Sequence, residues 1–385
     1  MGAHHEVLDY LQQQQDAMIA LLKDLVLIES PSTEPDSQGA ILERLEAEFE
    51  QLDYRVTRLS ARNCGGHLYA TPAARCRRLP TQLMIGHCDT VWPLGTLQTM
   101  PLVCADGSLR GPGVYDMKAG LVQMIYALKS IHALGLKPAV VPLCFINSDE
   151  EIGSRESTRY LRALAQQVER CLVLEPSLGR SGKIKTARKG VGRFTVTVQG
   201  KAAHAGLDPG AGASAILELS HVIQKLFQLN DPEHGTTVNV GLIDGGIRPN
   251  MVAPESRAVI DVRVLTNADA ARIEAAIHGL ETETPGVSLR IEGAIGRPPM
   301  EPTEANQRLW TIARTLGNEI GLALEQGTAG GGSDGNTTSL YSATLDGLGA
   351  VGDGAHAQHE FIDIDSLGER CTLLTLLLLS PSLTT

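Results

Sequence analysis

The sequence predicts an α/β protein, a mostly parallel sheet covered by helices, into which a smaller ferredoxin-like α+β domain is inserted. Three features predict it. "VVPLCFINSDEE" and "RCLVLEP" are short, nearly continuous apolar runs, as strands buried on both faces require. Helical stretches such as "AGLVQMIYALKSIHALGL" separate them, and strands alternating with helices build parallel sheets. From about residue 190 the runs give way to apolar–polar alternation, the mark of strands with one wet face, and after residue 300 the first texture returns. The division that follows is 1–187, 188–297 and 298–385, with the outer segments forming one domain. A chain of 385 residues has ample length for both cores.

In chain order, residues 8–28 carry apolar residues at helical spacing, and "TQLMIGHCDTVWP" (81–93) is an apolar strand that ends on His87 and Asp89. In the insert, "GRFTVTVQG" alternates through Phe194, Val196 and Val198, and "AVIDVRV" through Ala258, Ile260, Val262 and Val264; "VSLRI" alternates through Val287, Leu289 and Ile291. With "TTVNVGLI" and helical patterns at 212–229 and 267–283, the order is strand, helix, strand, strand, helix, strand. "LLTLLLL" near the end reads as a buried helix, far short of the roughly 20 residues that span a bilayer.

A net charge of −11 without any basic block argues against nucleic acid or an anionic membrane as partner, and suits a protein that binds cations. The start, "MGAHHEVLDYLQQQQDAM", has neither a cationic stretch nor an apolar one of the kind that directs export, so a cytoplasmic protein is expected. Cys64, Cys76, Cys88, Cys104, Cys144, Cys171 and Cys371 are odd in number and never spaced CxxC. Neither a disulfide framework nor a thiolate zinc site is expected. Cys88 should point to the face of its strand opposite its neighbours.

His87, the pair Glu150–Glu151 and Glu175 each follow directly after an apolar run, where open α/β sheets build their sites at the carboxyl ends of strands. Asp116, in "GPGVYDMKAG", sits in a glycine-rich turn before a helix, where a lone aspartate serves as an N-cap. His87 and Asp89 either cap a turn or hold a cation. Taken singly, each acidic group reads as solvated. Converging on one sheet edge, they repel one another unless a cation sits between them.

"GHCDTV", "GPGVYDMKAG", "NSDEEIGS", "LEPS", "KAAHAG" and "GAHAQHEF" follow the order and rough spacing of a known family. The chain resembles the co-catalytic dizinc metallopeptidases, a family of aminoacylases, succinyl-diaminopimelate desuccinylases and bacterial glutamate carboxypeptidases. "DEEIGS", "GRPPM" and "GTAGGGSDGN" resemble the last branch most. The resemblance implies two Zn2+ per subunit, with Co2+ or Mn2+ as substitutes. It implies one zinc on His87, Asp116 and Glu175 and a second on Asp116, Glu151 and His356, with His356 taken over His359 because it precedes Glu360 by four residues. Glu150 resembles the general base and Asp89 the residue that orients His87. A cis peptide between Asp116 and Met117 is also implied.

The inserted domain, by the same likeness, is a dimerisation or lid domain. His204 would reach a partner subunit's reaction in a homodimer, a solvated loop histidine being the alternative, and Asn250, Arg263 and Arg297 would contact substrate. Gly331 lies in "GGGSDGN", whose glycines let backbone approach a ligand closely, with a plain flexible loop as the alternative. Arg263 shares its strand face with Asp261, so an ion pair between them is the alternative; for Arg297 the alternative is a solvated hinge residue. The implied activity is hydrolysis of an amide bond that releases a C-terminal amino acid, glutamate in the nearest branch, from a peptide or N-acyl amino acid with a free carboxylate. Aminoacylase, dipeptidase and N-carbamoyl amidohydrolase are the alternatives within the family. A non-catalytic dimeric binding protein is the alternative outside it, and would have broken ligand positions.

Overall fold

The computed structural model describes residues 3–74 and 79–383, so Cys76 lies outside the described residues. The chain divides into two compact units, Met1–Thr186 with Pro302–Thr328 and Ser333–Thr385, and Ala187–Glu301 with Ala329–Gly332. The sequence placed the short Ala329–Gly332 segment in 298–385; its contacts put it instead with the insert.

The first unit is built on a six-stranded sheet in the order Tyr54–Leu59, His67–Pro72, Val141–Asn147, Thr81–His87, Arg170–Val173, Ala343–Leu345. The last four strands run parallel, and the first two form an antiparallel edge. Every residue of Thr81–His87, Val141–Asn147 and Arg170–Val173 is buried, the reason these segments read as unbroken apolar runs. The helices Gln15–Leu27, Ala119–Ala133 and Ile364–Leu379 contribute to one large core, while Leu161 and Ala165 of Thr158–Ala165 belong to a second. The N-terminal helical stretch starts earlier than its pattern, at Ala3, and breaks at Gln14 (φ −92°, ψ 1°) into Ala3–Gln13 and Gln15–Leu27. No glycine or proline marks that break. Among the described residues no helix is long and apolar enough to cross a membrane.

A smaller sheet in this unit, Gly352–Asp353, Phe361–Asp363, Ser108–Arg110 and Val103–Ala105, pairs Phe361 with Arg110 and so brings the loop after Arg110 beside the loop before Phe361. These two loops carry Asp116 and His356.

The second unit is a four-stranded antiparallel sheet in the order Thr237–Gly245, Glu255–Val264, Gly190–Gln199, Ser288–Arg297, crossed by the helices Ala215–Phe227 and Asn267–His278. This is the ferredoxin-like arrangement. Phe194, Val196, Val198, Ile260, Val262 and Val264 are fully buried with Leu219, Val222, Ile273 and Ile277, so alternation correctly chose the inner face. Ser214 and Thr266 cap the two helices by accepting hydrogen bonds from Leu217 N and Asp269 N. The second helix ends at His278, short of the expected 283, and the last strand runs well past "VSLRI" to Arg297.

Gly120 lets the Ala119–Ala133 helix approach the sheet, because a Cβ there would lie 2.1 Å from the Leu174 carbonyl oxygen. Backbone cannot rotate away as a side chain can. Gly120→Ala should therefore cost about 1–3 kcal/mol, read as a lower urea midpoint. An unchanged midpoint would show that the helix has room to shift.

Candidate active site

The parallel strands deliver their carboxyl ends to one edge: His87 is the last residue of its strand, paired with Asn147, and Glu150, Glu151 and Glu175 lie just beyond the neighbouring strands. His87 Nε2 stands 3.2 Å from Asp116 Oδ1 and 3.6 Å from Glu175 Oε1. His356 Nε2 stands 3.0 Å from Glu151 Oε2 and 3.5 Å from Asp116 Oδ2. The two oxygens of Asp116 thus face different histidines. His87, Asp116 and Glu175 form one group with ligand atoms within 4.8 Å of one another, and Asp116, Glu151 and His356 form a second. His359 is in neither group.

The donor set fits a pair of divalent cations. His87 Nδ1 lies 2.9 Å from the Asp89 carbonyl oxygen, which can only accept, so Nδ1 carries the proton. In the neutral ring, Nε2 then presents a lone pair to two carboxylates, which needs either a second proton or a metal ion. Imidazole with carboxylate is a zinc-type ligand set. Without metal the proton wins: burial pulls His87 down, but hydrogen bonds to Asp116 and Asp89, with the charges of Asp89 and Glu150, hold it well above the ordinary histidine range. Hydrogen bonds to Asp116 and then Glu151 push His356 up to about 10. Burial, reinforced by the charges of Asp116 and Glu150 against the His356 hydrogen bond, lifts Glu151 to about 7.

Asp89 approaches His87 with two groups. Its carbonyl makes the close contact with His87 Nδ1, and its carboxylate stands 3.5 Å from the same nitrogen. The carboxylate also receives Ser32 Oγ at 2.6 Å and the backbone N–H groups of Glu150 (3.2 Å) and Glu151 (3.1 Å). Asp89 is thereby a positioning residue that fixes the turn carrying both glutamates. Glu150 is 8% exposed and Glu175 7%, so both enter the site desolvated.

Glu360, which the sequence reading used only to choose a histidine, organises the Asp116 loop. Fully buried, it accepts hydrogen bonds from Trp92 Nε1 (2.8 Å) and from the backbone N–H groups of Gly113, Tyr115 and Asp116 (2.9–3.0 Å). The Asp116–Met117 peptide is cis, and His356 has φ +62°.

In the second unit, His204 is exposed, and its Nδ1 accepts from Gly206 N and Leu207 N, both at 3.1 Å. That leaves Nε2 as the donor. Asn250 lies in the neighbouring loop, where its carbonyl accepts from Ala205 N, and is also exposed. Arg263 directs its fork to Asp261, with Nε to Oδ1 at 2.8 Å and Nη2 to Oδ2 at 3.0 Å, the ion pair expected as the alternative to a role with substrate. Arg297 closes the last strand of this sheet. Gly331 has nothing near its Cα that a Cβ would meet, and its carbonyl accepts from Arg188 Nη1 at 3.1 Å. Arg188, buried within "ARKG", also binds the Gly332 carbonyl at 3.0 Å. Nothing in that stretch of sequence marks it as the anchor of this loop.

Residues 186–283 match the family model of a peptidase dimerisation domain. The chain is 27% identical over 368 residues to carboxypeptidase G2 of Pseudomonas sp. strain RS-16, covering 93% of this chain and 87% of that protein. It is 27% identical over 330 residues to the succinyl-diaminopimelate desuccinylase of Paracidovorax citrulli, covering 80% and 84%. Its fold matches the M20 family metallo-carboxypeptidase Sso-CP2 of Sulfolobus solfataricus with a TM-score of 0.74 at 16% identity, over 94% of this chain and 98% of that one.

The titrating groups make a pH test. His356, His87 and Glu151 all have raised values in the metal-free protein, so the stability they contribute is present at low pH. It is lost as pH rises through about 7 for Glu151 and about 10 for His356. Metal must displace the same protons. The gap in melting temperature between zinc-loaded and metal-free protein should therefore widen from pH 5 to pH 9; a constant gap would mean these groups do not exchange protons for metal.

Proposed function

We propose, from the premise that this chain belongs to the M20 peptidase family, that it is a dizinc carboxypeptidase or amino-acid deacylase. On this reading it cleaves the amide that joins an acyl group to an amino acid with a free carboxylate. The chain is a metal-dependent hydrolase, as its relatives are. The observation that carries the finer reading is the pair of His–carboxylate groups sharing Asp116, with the desolvated Glu150 beside them.

His87, Asp116 and Glu175 would hold one ion and Asp116, Glu151 and His356 the other. Bound there, two zinc ions would polarise the scissile carbonyl and acidify water. Glu150 takes the proton that water gives up on attacking the carbonyl carbon. It returns that proton to the nitrogen as the C–N bond breaks, so one group serves as base and then acid. Asp89 holds Glu150 in place through its backbone N–H. His204, with Nε2 as donor, is assigned to the carbonyl oxygen as charge gathers on it, acting in a homodimer on the neighbouring subunit's substrate.

The carboxylate of the released amino acid is assigned to Arg297 and Asn250. An arginine fork suits a carboxylate in bidentate geometry. Resemblance to carboxypeptidase G2 favours glutamate as the released residue, while the desuccinylase relatives keep N-acyl amino acids within range. We place the reaction in the cytoplasm: the cysteines among the described residues are free thiols, as a reducing compartment keeps them.

Two measurements test this reading. Glu150→Gln should retain both metals while kcat falls by roughly 10²–10⁴, the usual worth of a general base, whereas Glu151→Gln should also lose metal. Equal metal content and equal rates in the two variants would overturn the division of roles. For an N-acyl glutamate against its C-terminal amide, loss of the charge should lower kcat/KM by about a hundredfold or more, at about 3 kcal/mol for an unpaired arginine. Similar turnover of the two would mean that no carboxylate is recognised.

A further inference from the structure

Apart from the two groups that share Asp116, the described residues bring a further set of metal-ligating side chains together: Cys64, His67 and Asp149, with ligand atoms within 4.8 Å of one another. All three are buried, with exposures of 6%, 1% and 1%. Neither ring nitrogen of His67 has a hydrogen-bond partner, and neither does Asp149 Oδ1. The ring packs against Phe145 and the edge of Tyr160, at centroid distances of 5.9 and 5.6 Å. Asp149 Oδ2 is already engaged, accepting from the backbone N–H groups of Glu156 (2.8 Å) and Ser157 (3.2 Å), which leaves Oδ1 for another partner. A buried imidazole and a buried carboxylate oxygen without partners are costly, and a cation that takes a lone pair from each removes the cost.

We propose that Cys64, His67 and Asp149 form a further metal site, for a zinc-class divalent cation, that braces the turn carrying Glu150 and Glu151. A thiolate, an imidazole and a carboxylate are each zinc donors, and together they supply three of four tetrahedral positions. A cavity of about 290 Å³ lined by Asn63, Cys64, Asp149, Ile152, Arg155 and Glu156 leaves room for a fourth ligand such as water. Burial lowers the His67 pKa, which favours the neutral ring that ligation needs. Burial raises the Cys64 thiol, so its proton passes to solvent as the cation binds.

The position explains what such an ion would do. Cys64 lies just before the strand His67–Pro72 and Asp149 just after Val141–Asn147, two strands that pair antiparallel with Leu68 opposite Ile146. An ion between them would tie their ends together. It would also fix Asp149, whose carbonyl accepts from Ser154 N at 2.7 Å and so shapes the Glu150–Glu151 turn. No local pattern marks this site, because Cys64 and His67 stand far from Asp149 along the chain and no CxxC is present.

Cobalt substitution of the full chain separates this site from the other. The groups sharing Asp116 offer only nitrogen and oxygen donors, so a thiolate-to-cobalt charge-transfer band in the near ultraviolet must come from a cysteine. Titrated to saturation, the wild-type protein should show that band. Cys64→Ser and His67→Gln should each lose the band and bind one equivalent of cobalt fewer, while Cys104→Ser, at an exposed cysteine, should keep both. Absence of the band in the saturated wild-type protein, or its survival in Cys64→Ser, would overturn the proposal, and the first of these needs no variant to fold.

Discussion

Acidic side chains brought to one sheet edge in a desolvated site cannot all stay charged without a counter-charge, and the first unit is organised around that constraint. Asp116, Glu151 and Glu175 meet His87 and His356 where the parallel strands end. With no metal, protons supply the positive charge, which is why both histidines and Glu151 are raised. With metal, the same lone pairs are released to cations. The cluster is therefore poised between two loads, and Asp116, with one oxygen toward each histidine, is the residue that both halves share.

A charge-dense cluster holds its geometry only if its supports are themselves satisfied. Two buried carboxylates outside the cluster do this by accepting backbone N–H groups. Asp89 gathers the amides of Glu150 and Glu151, and Glu360 gathers those of Gly113, Tyr115 and Asp116. Both convert loops, which would otherwise wander, into fixed platforms for ligands. Glu360 is raised by burial and partly restored by these same hydrogen bonds. The small sheet that pairs Phe361 with Arg110 sets the two loops side by side before any side chain acts.

The parts of this protein that obey short-range periodicity were legible in its sequence. Fully buried strands read as apolar runs, the inner face of the inserted sheet read from alternation, and strand ends pointed to His87, Glu150, Glu151 and Glu175. What the sequence did not reveal depended on partners distant in the chain. Asp89 was expected to orient His87, but nothing local shows that its carboxylate also gathers the amides of a turn some sixty residues on. The pairing of Arg263 with Asp261, two residues away, was by contrast legible as the alternative that their shared strand face offered. The role of Arg188 on the carbonyls of Gly331 and Gly332 involves contacts across more than a hundred residues, and no local pattern encodes them.

Anomalous diffraction from a zinc-loaded crystal, collected on both sides of the zinc edge, measures the shared-ligand arrangement most directly. The arrangement requires two anomalous peaks flanking Asp116, one against His87 and Glu175 and the other against Glu151 and His356, each reached by a different Asp116 oxygen. A single peak, or two peaks that do not share Asp116, would contradict it.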